Sequence, residues 1–213
     1  MASKVTSKHL QTAVGMIHYL ESKNLSGDLL VLFHPYSKNA SFAINMFKFL
    51  QKDYHLIAID LPFHGKTNLI KPEFNSKDIS KILVDIKGLY PKKRLTLIGH
   101  SFGSRMICLA ISQKQISPYK TIFYGPELGF NGYTKIFLTK KAYYLCRPLA
   151  SLLMTKQILH GLSLFLFRLK IIDKIAFDFL KLHQDSRSKS SLLRLWKSLA
   201  NTNKDLLFIK KNS

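Results

Sequence analysis

Short apolar runs alternate with amphipathic segments between Leu29 and about Tyr124. Each run is continuous and of strand length, which is typical of strands that are covered on both faces. This alternation predicts β–α units on a largely parallel sheet, so the expected fold class is α/β. The predicted strands are Leu29–Phe33, His55–Asp60, Leu95–Ile98 and Thr121–Tyr124.

The segment between the second and third of these strands has the spacing of an amphipathic helix. Apolar residues recur at i, i+3, i+4 and i+7 from Ile79, and Asn75 or Ser76 is placed to cap the first turn. Gly88 is expected to stop this helix. Ahead of Leu29, the run Val14–Leu20 predicts one or two antiparallel strands, followed by a turn at residues 26–28.

The rhythm changes after Gly125 and Pro126. From about residue 133 to residue 199 the pattern is helical, apolar and basic, with breaks near Pro148 and Gly161. The apolar stretch at residues 162–169 is too short for the roughly 20 residues of a membrane span. We therefore expect an α/β core in residues 1–126, a helical lid in residues 127–200, and in residues 201–213 a connection toward an absent final strand.

The net charge of +21 is the strongest compositional signal, and it raises the question of a nucleic-acid or membrane partner. The charge is spread evenly, however, with +10 in residues 1–126 and +11 in residues 127–213. No basic stretch interleaves with aromatic residues as a stacking groove requires. We expect a lysine-rich solvated surface, no specific nucleic-acid binding and at most weak contact with anionic membranes.

Cysteine usage and the composition of the N-terminus predict the cellular compartment. Cys108 and Cys146 lie far apart in apolar surroundings, so two buried, reduced thiols are expected, and neither a disulfide framework nor a metal site is predicted. Residues 1–8 are polar and no secretory apolar segment follows them. The prediction is a cytoplasmic protein.

Chemistry is concentrated in the segment Gly99-His100-Ser101-Phe102-Gly103. It follows a predicted buried strand and precedes a helical run, which is the context that the GxSxG nucleophile turn requires. A serine on such a tight turn needs small neighbours. The helix that begins there directs backbone N–H groups and the positive end of its dipole at developing negative charge.

Two upstream segments accompany this turn. They are Phe33-His34-Pro35-Tyr36 and Asp60-Leu61-Pro62-Phe63-His64-Gly65-Lys66-Thr67, each following a predicted strand. With the GxSxG segment, in this order and spacing, they resemble the motifs of the α/β-hydrolase family over about residues 14–126. The resemblance implies a mostly parallel sheet with helices on both faces, a helical lid, and a serine above the carboxyl edge of the sheet.

The resemblance assigns roles to single residues. Ser101 becomes the nucleophile, and the backbone N–H groups of Phe102 and Tyr36 become the oxyanion donors. Pro35 and Phe63 depart from the family pattern, because each stands where glycine is usual; proline offers no N–H and fixes φ. The family motif residues His34, His64 and His100 are expected to orient turns or pack, and Asp60 is expected to be structural. Gly99 and Gly103 flank the turn as its small residues.

The partners of a serine nucleophile are not evident. Serine needs a base and an acid that orients it, and in this family the acid and then the histidine follow the serine. Downstream of Ser101 the histidines are His160 and His183, both in the predicted lid, and Glu127 is the candidate acid. Two further strand–helix units of about 30 residues each would be needed to carry the usual partners. We therefore expect a hydrolase truncated at its C-terminus.

The leading hypothesis is a cytoplasmic hydrolase that acts on an ester, thioester or related acyl substrate through a Ser101 acyl-enzyme, without metal or organic cofactor. The apolar lid favours an apolar substrate moiety. The alternative is a catalytically incomplete hydrolase-fold protein, or a binding module without turnover. A sheet without its last strands also exposes an edge through which another chain can associate; marginal stability or aggregation is then expected.

Overall fold

The computed structural model describes residues 5–22, 24, 27–126, 144, 194–195, 197–199 and 201–202. Strands and helices alternate over most of residues 29–124, as the apolar runs predict. The elements in chain order are β1 (Val5–Gln11), β2 (Gly15–Ser22), β3 (Leu29–Phe33), α1 (Ala40–Met46), a 3-10 turn (Lys48–Lys52), β4 (His55–Ile59), β5 (Asn68–Leu69), α2 (Ser76–Gly88), β6 (Leu95–His100), α3 (Phe102–Ser112) and β7 (Lys120–Tyr124).

The strands form one mixed sheet in the order β1-β2-β4-β3-β6-β7, with β5 pairing beside β2. The pairs β3–β4, β3–β6 and β6–β7 are parallel, whereas β2 is antiparallel to β1, β4 and β5. The α/β fold class and the mostly parallel sheet are therefore confirmed. The lid and the absence of late strands are not tested by the described residues.

Helices cover both faces of the sheet, and β3 shows why its sequence is continuously apolar. Leu29, Val31 and Phe33 belong to the core cluster that contains the apolar faces of α2 and α3. Leu30 and Leu32 belong to the cluster around α1 on the opposite face. Since alternate side chains of a strand point to opposite faces, a strand between two helical layers needs an apolar residue at every position.

Strand β1 begins earlier than the sequence pattern indicated. The pattern predicted strand from Val14, and residues 1–8 were interpreted as a polar tail, yet β1 runs from Val5 to Gln11. It lies at the end of the strand order and its middle residues are exposed, so it carries no apolar alternation. Its position follows from pairing with β2, which a composition-based prediction does not detect.

Helix α2 begins and ends where the sequence predicts. Asn75 accepts the N–H of Asp78, and the Asp78 carboxylate accepts the N–H of Asn75, which completes a capping box. Gly88 is the last helical residue, and Leu89 follows it in the right-handed region. The helix therefore ends at Gly88 as predicted, but without a left-handed cap, because the φ of Gly88 is not positive.

The predicted domain division at residue 126, and with it the lid, lies outside the described residues. Within residues 194–202, the described positions are helical and contact the loop before α2. Ser198 Oγ accepts the N–H of Phe74 at 2.9 Å, and Leu195 is buried in the core cluster of α2 and α3. Cys108 is free and half-buried, and burial raises the pKa of its thiol; Cys146 lies outside the described residues.

Strand β7 ends the described strand order opposite β1. The side chains of Ile122, Phe123 and Tyr124 are exposed on it. An apolar edge strand of this kind is a site for pairing with another chain, so the association expected from the sequence stays a prediction. None of the described helices is both long enough and apolar enough to cross a membrane.

A buried polar cluster joins β1, β2, β4 and the end of α2. The Glu21 carboxylate is buried and accepts hydrogen bonds from His55 Nε2 at 2.9 Å and from the Tyr90 hydroxyl, and it pairs with Lys8. Burial alone would raise the pKa of Glu21, but the hydrogen bonds from Lys8, Tyr90 and His55 outweigh it and hold the pKa below its usual value. Burial lowers the pKa of His55.

This cluster makes stability depend on pH in one direction. Because the folded pKa values of Glu21 and His55 are both depressed, their contributions are present above the ordinary values of 4.5 and 6.5 and are lost as the pH falls through the folded values. We expect the free energy of unfolding, measured in urea, to fall below pH 6.5 through His55 and to fall further below pH 4.5 through Glu21. Glu21→Gln should lower it by about 1–2 kcal/mol at pH 7.5 and reduce the further loss below pH 4.5. Asp85→Asn, in a surface pair with Lys81, should change both little. A loss below pH 4.5 that is as large in Glu21→Gln as in the wild type would contradict this role.

Candidate functional site

The candidate site lies at the carboxyl ends of β3 and β6, which are adjacent in the sheet. The chain passes from β3 to β4 on one side and then crosses back to β6 on the other side. Such a reversal of strand order opens a crevice above the carboxyl edge, where α/β proteins bind their ligands. Residues 34–39 after β3 and Ser101 after β6 face each other across this point.

Ser101 occupies the turn between β6 and α3. It has φ 50° and ψ −113°, a conformation that non-glycine residues rarely adopt and that costs of the order of 1–3 kcal/mol. Its N–H donates to the carbonyl of Tyr124 at 3.0 Å, and its carbonyl accepts the N–H of Ser104 at 2.9 Å. Its hydroxyl makes no capping hydrogen bond to α3. The backbone is thus fixed on both sides while the hydroxyl is not committed to the helix.

The two glycines of the turn are needed for space, as the motif requires. A Cβ on Gly99 would lie 2.7 Å from the backbone N and Cα of Ser104. A Cβ on Gly103 would lie 2.3 Å from the carbonyl oxygen of Phe33 in β3. Both contacts are shorter than real Cβ atoms make. Without side chains at these positions, α3 lies close enough to the sheet for its first turn to stand beside Ser101.

The two residues assigned as oxyanion donors lie next to each other. Phe102 is the first residue of α3, so its N–H is one of the donors that have no partner within the helix. The Tyr36 ring contacts the Phe102 ring edge-to-face, with 5.5 Å between their centroids. Tyr36 lies in a turn in which Lys38 N–H donates to the Pro35 carbonyl at 3.2 Å and Ser37 has φ 60°. This is a type II turn, which Pro35 accommodates because its own N–H is not needed.

His34 joins the ends of β3 and β4. It is fully buried, its Nδ1 bonds to the Pro35 carbonyl at 2.8 Å, and its Nε2 accepts the N–H of Leu61 at 3.0 Å. The carbonyl and the N–H fix the tautomer, with the proton on Nδ1. His64 Nδ1 donates to the Pro62 carbonyl at 2.8 Å, and its ring stacks on Phe102. Both histidines hold loops beside the crevice.

His100 directly precedes Ser101 at the end of β6. Its half-buried ring packs against Tyr124, at 4.8 Å between centroids, and stacks on Phe42. Its Nδ1 is buried and has no hydrogen-bond partner within the part of the chain that the structure describes. Burial lowers the pKa of this imidazole, so the neutral form is favoured.

Asp60 anchors the loop that follows β4. It is buried; its Oδ1 accepts the N–H of Ala40 at 2.6 Å, and its Oδ2 accepts the N–H of Lys66 at 2.8 Å and lies 2.6 Å from His18 Nδ1. A Cβ on Gly65, where φ is +50°, would collide with this carboxylate. Asp60 therefore fixes the loops after β3 and β4 relative to each other. Phe63 in the same loop has φ 61°, so the conformation typical of glycine persists at this departure from the family pattern.

Asp60→Asn is expected to destabilise the fold. Three donors point at the two carboxylate oxygens, whereas asparagine presents one accepting oxygen and an NH₂ group, so at least one donor would face another donor. We expect a loss of about 2 kcal/mol in the free energy of unfolding in urea. Asp53→Asn, at an exposed position, is the matched control and should change it by less than about 0.5 kcal/mol. Equal values for the two variants would contradict the anchoring role.

The proton-transfer partners of Ser101 are not among the residues brought together. Glu127, His160 and His183 all lie outside the described residues, and their roles stay predictions. Within residues 5–126, no histidine hydrogen-bonds to the Ser101 hydroxyl. No group of three metal-ligating side chains occurs in the described part of the chain. Sequence reasoning did not find His18 as a partner of Asp60, because their contact depends on β2 pairing with β4. A correct prediction of the strand order would have been needed to place the two residues together.

Comparison with known proteins finds similarity to α/β hydrolases. The sequence model of a family described as alpha/beta hydrolase fold matches residues 28–118. A hydrolase from Acinetobacter baylyi, (E)-2-((N-methylformamido)methylene)succinate hydrolase, is 28% identical over 87 residues, which cover 41% of this chain and 32% of that enzyme. The match therefore spans about a third of the relative's length.

Solved structures share the fold at low sequence identity. The Cif epoxide hydrolase from Acinetobacter nosocomialis superposes with a TM-score of 0.65 at 17% identity, over 99% of this chain and 69% of that one. The naproxen esterase of Bacillus subtilis superposes with a TM-score of 0.57 at 15% identity, over 90% of this chain and 62% of that one. At these sequence identities the similarity shows the fold alone. The chemistry has to be argued from the residues of the site.

Proposed function

We propose that this chain, whose residues 28–118 match the alpha/beta hydrolase fold family, is a serine hydrolase in which Ser101 attacks an ester, thioester or related acyl carbon. The observation that carries this proposal is the Ser101 turn. The residue holds φ 50° at the head of α3, between two glycines that admit no side chain. A strained backbone that the surrounding structure maintains is typical of functional positions.

In the proposed reaction, a general base takes the proton of the Ser101 hydroxyl while Oγ forms a bond to the acyl carbon, and the carbonyl oxygen becomes an oxyanion. The N–H groups of Phe102 and Tyr36 donate hydrogen bonds to this oxyanion, and the first turn of α3 adds the positive end of its dipole. An oxyanion donor of this kind contributes about 3–4 kcal/mol to the barrier reduction. On collapse of the tetrahedral intermediate, the protonated base gives its proton to the leaving oxygen or sulfur, the alcohol or thiol departs, and an acyl-Ser101 remains, which water then hydrolyses.

The base, the acid and the lid belong to the proposal as sequence predictions. Glu127 is the candidate acid, and residues 127–200 are the candidate lid, whose apolar composition favours an apolar substrate moiety. A small-molecule acyl substrate is the expected partner. The cytoplasmic location, the weak membrane contact and the association through β7 likewise stay predictions from the sequence.

A second candidate function is a hydrolase-fold protein that does not turn over. It is favoured by one observation on the sequence, which is that the histidines downstream of Ser101, His160 and His183, lie in the predicted lid without a predicted strand before them. Such a protein would carry a positioned serine whose proton has no acceptor, so acylation by strong electrophiles would occur while ester hydrolysis would not. The same holds for a binding module that retains the crevice.

Turnover of a short-chain aryl ester by the purified full chain separates these two functions. The serine hydrolase predicts steady release of the phenol that stops after treatment with a fluorophosphonate. The incomplete hydrolase predicts fluorophosphonate incorporation at Ser101 without steady release of the phenol. If neither incorporation nor release occurred in a folded sample, both proposals would be wrong.

A further inference from the structure

A second hydroxyl–imidazole–carboxylate chain lies away from the Ser101 turn. Ser7 Oγ is 2.8 Å from His18 Nε2, and His18 Nδ1 is 2.6 Å from Asp60 Oδ2. Ser7 is exposed on β1, whereas His18 and Asp60 are 4% and 2% exposed. The order of the groups is that of the Ser–His–Asp arrangement, with the carboxylate on Nδ1 and the hydroxyl on Nε2.

The partners fix the direction of both hydrogen bonds. An ionised carboxylate only accepts, so the proton between His18 and Asp60 belongs to His18 Nδ1. The remaining ring nitrogen, Nε2, then carries a lone pair and accepts the hydroxyl proton of Ser7. A hydroxyl that donates to an imidazole oriented in this way is placed to lose its proton when the oxygen attacks an electrophile.

The backbone around these side chains holds the geometry. Asp60 N–H donates to the His18 carbonyl at 2.9 Å. The Thr67 hydroxyl accepts the His18 N–H at 3.0 Å and donates to the Asp60 carbonyl at 2.6 Å. The ring of His9, on the same face of β1 as Ser7, contacts the His18 ring at 4.9 Å between centroids. The imidazole is therefore fixed before any ligand arrives.

The location is separate from the crevice above β3 and β6. Strand β1 and strand β6 are four steps apart in the strand order, which corresponds to about 19 Å at the usual spacing of neighbouring strands. Strand β1 is at the edge of the described sheet, so alternate backbone groups point away from β2. Ser7 is reached from solvent without opening the core.

We propose that Ser7, His18 and Asp60 form a second reactive site, at which Ser7 is acylated or phosphonylated by small activated esters and fluorophosphonates. Ser7 Oγ forms a bond to the acyl carbon or to phosphorus, and its proton moves to His18 Nε2. The phenolate or fluoride leaves with the electron pair of the bond that breaks, and Asp60 stabilises the imidazolium. Ser7 is the nucleophile, and Asp60 acts on it only through His18.

The test uses the full chain carrying Ser101→Ala, so that the proposed acyl-enzyme serine is absent. The folded chain is treated with a fluorophosphonate, digested, and the initial rates of adduct formation on individual serines are compared by mass spectrometry. Ser41, exposed on α1 without a described histidine partner, is the internal reference. We expect the Ser7 peptide to be modified at least about 10-fold faster than the Ser41 peptide, and His18→Gln to remove this excess.

Two outcomes would overturn the proposal. One is a Ser7 rate equal to that of Ser41 in the folded chain, and the other is an excess that persists in folded His18→Gln. Because His18 is buried, the His18→Gln chain can fail to fold, and a second measurement therefore uses only the Ser101→Ala chain. In 8 M urea, the faster modification of Ser7 relative to Ser41 should vanish. A faster modification of Ser7 that survives unfolding contradicts the role of His18. The adduct on Ser101 is read separately in the wild-type chain, so failure at Ser7 and failure of the proposed hydrolase function give different results.

Discussion

Ser101→Ala should lower aryl-ester hydrolysis by at least about 10³-fold, because it removes the hydroxyl at the head of α3 that forms the proposed acyl-enzyme. Alanine fits the turn, since the clashes that constrain the segment occur at Gly99 and Gly103. The urea midpoint should therefore stay close to that of the wild type. The initial rate of phenol release, measured at equal concentrations of folded protein, checks the prediction.

Ser112→Ala provides the control for this substitution. Ser112 is the last residue of the same helix. Its hydroxyl donates to the Leu109 carbonyl and accepts a hydrogen bond from the Gln113 side chain, so both of its partners are local. Its replacement should leave the hydrolysis rate within about twofold of the wild type. If Ser101→Ala retained more than a tenth of the wild-type rate, the acyl-enzyme at Ser101 would be wrong.

Gly103→Ala should cost about 3 kcal/mol or more of the free energy of unfolding. The added Cβ would lie 2.3 Å from the carbonyl oxygen and 2.7 Å from the carbonyl carbon of Phe33. Both are backbone atoms of a central strand, so the contact is relieved only if α3 moves away from β3. That movement would separate Phe102 from Tyr36 and would also reduce the reaction of Ser101 with fluorophosphonates.

Gly88→Ala is the matched glycine substitution for this experiment. Gly88 is also helical, but nothing lies within 4 Å of the position its Cβ would take. We expect it to leave stability unchanged or to raise it by about 0.5 kcal/mol, since alanine loses less backbone entropy than glycine. Urea unfolding of the two variants side by side measures the difference. If Gly103→Ala were as stable as Gly88→Ala, the close packing of α3 on β3 would be wrong.

Sequence reasoning located the central strands because their environment leaves a strong pattern. Leu29–Phe33 matches β3 to the residue, since a strand between two helical layers is apolar throughout. The edge strand β1 was missed for the opposite reason: only pairing with β2 makes it a strand, and its exposed residues need not be apolar. Burial leaves a signal in the sequence, whereas pairing at an edge does not.

The candidate site likewise contains features that the sequence predicts and features that it does not. The Ser101 turn was predictable because its steric demands select glycine at two fixed positions around a serine. The contacts of His18 with Ser7 and Asp60 were not, since they join three strands whose register only the folded sheet defines. The Glu21 cluster follows the same rule, because Lys8, His55 and Tyr90 meet the carboxylate from three separate segments.

The most direct measurement is the location of the first fluorophosphonate adduct on the folded wild-type chain. A brief reaction at limiting reagent, followed by digestion and mass spectrometry, compares the peptide containing Ser101 with every other serine peptide in one sample. The strained turn between Gly99 and Gly103 predicts that Ser101 is the first serine modified, and that its advantage disappears in urea. A folded chain in which Ser101 stays unmodified while other serines react would contradict its assignment as the nucleophile.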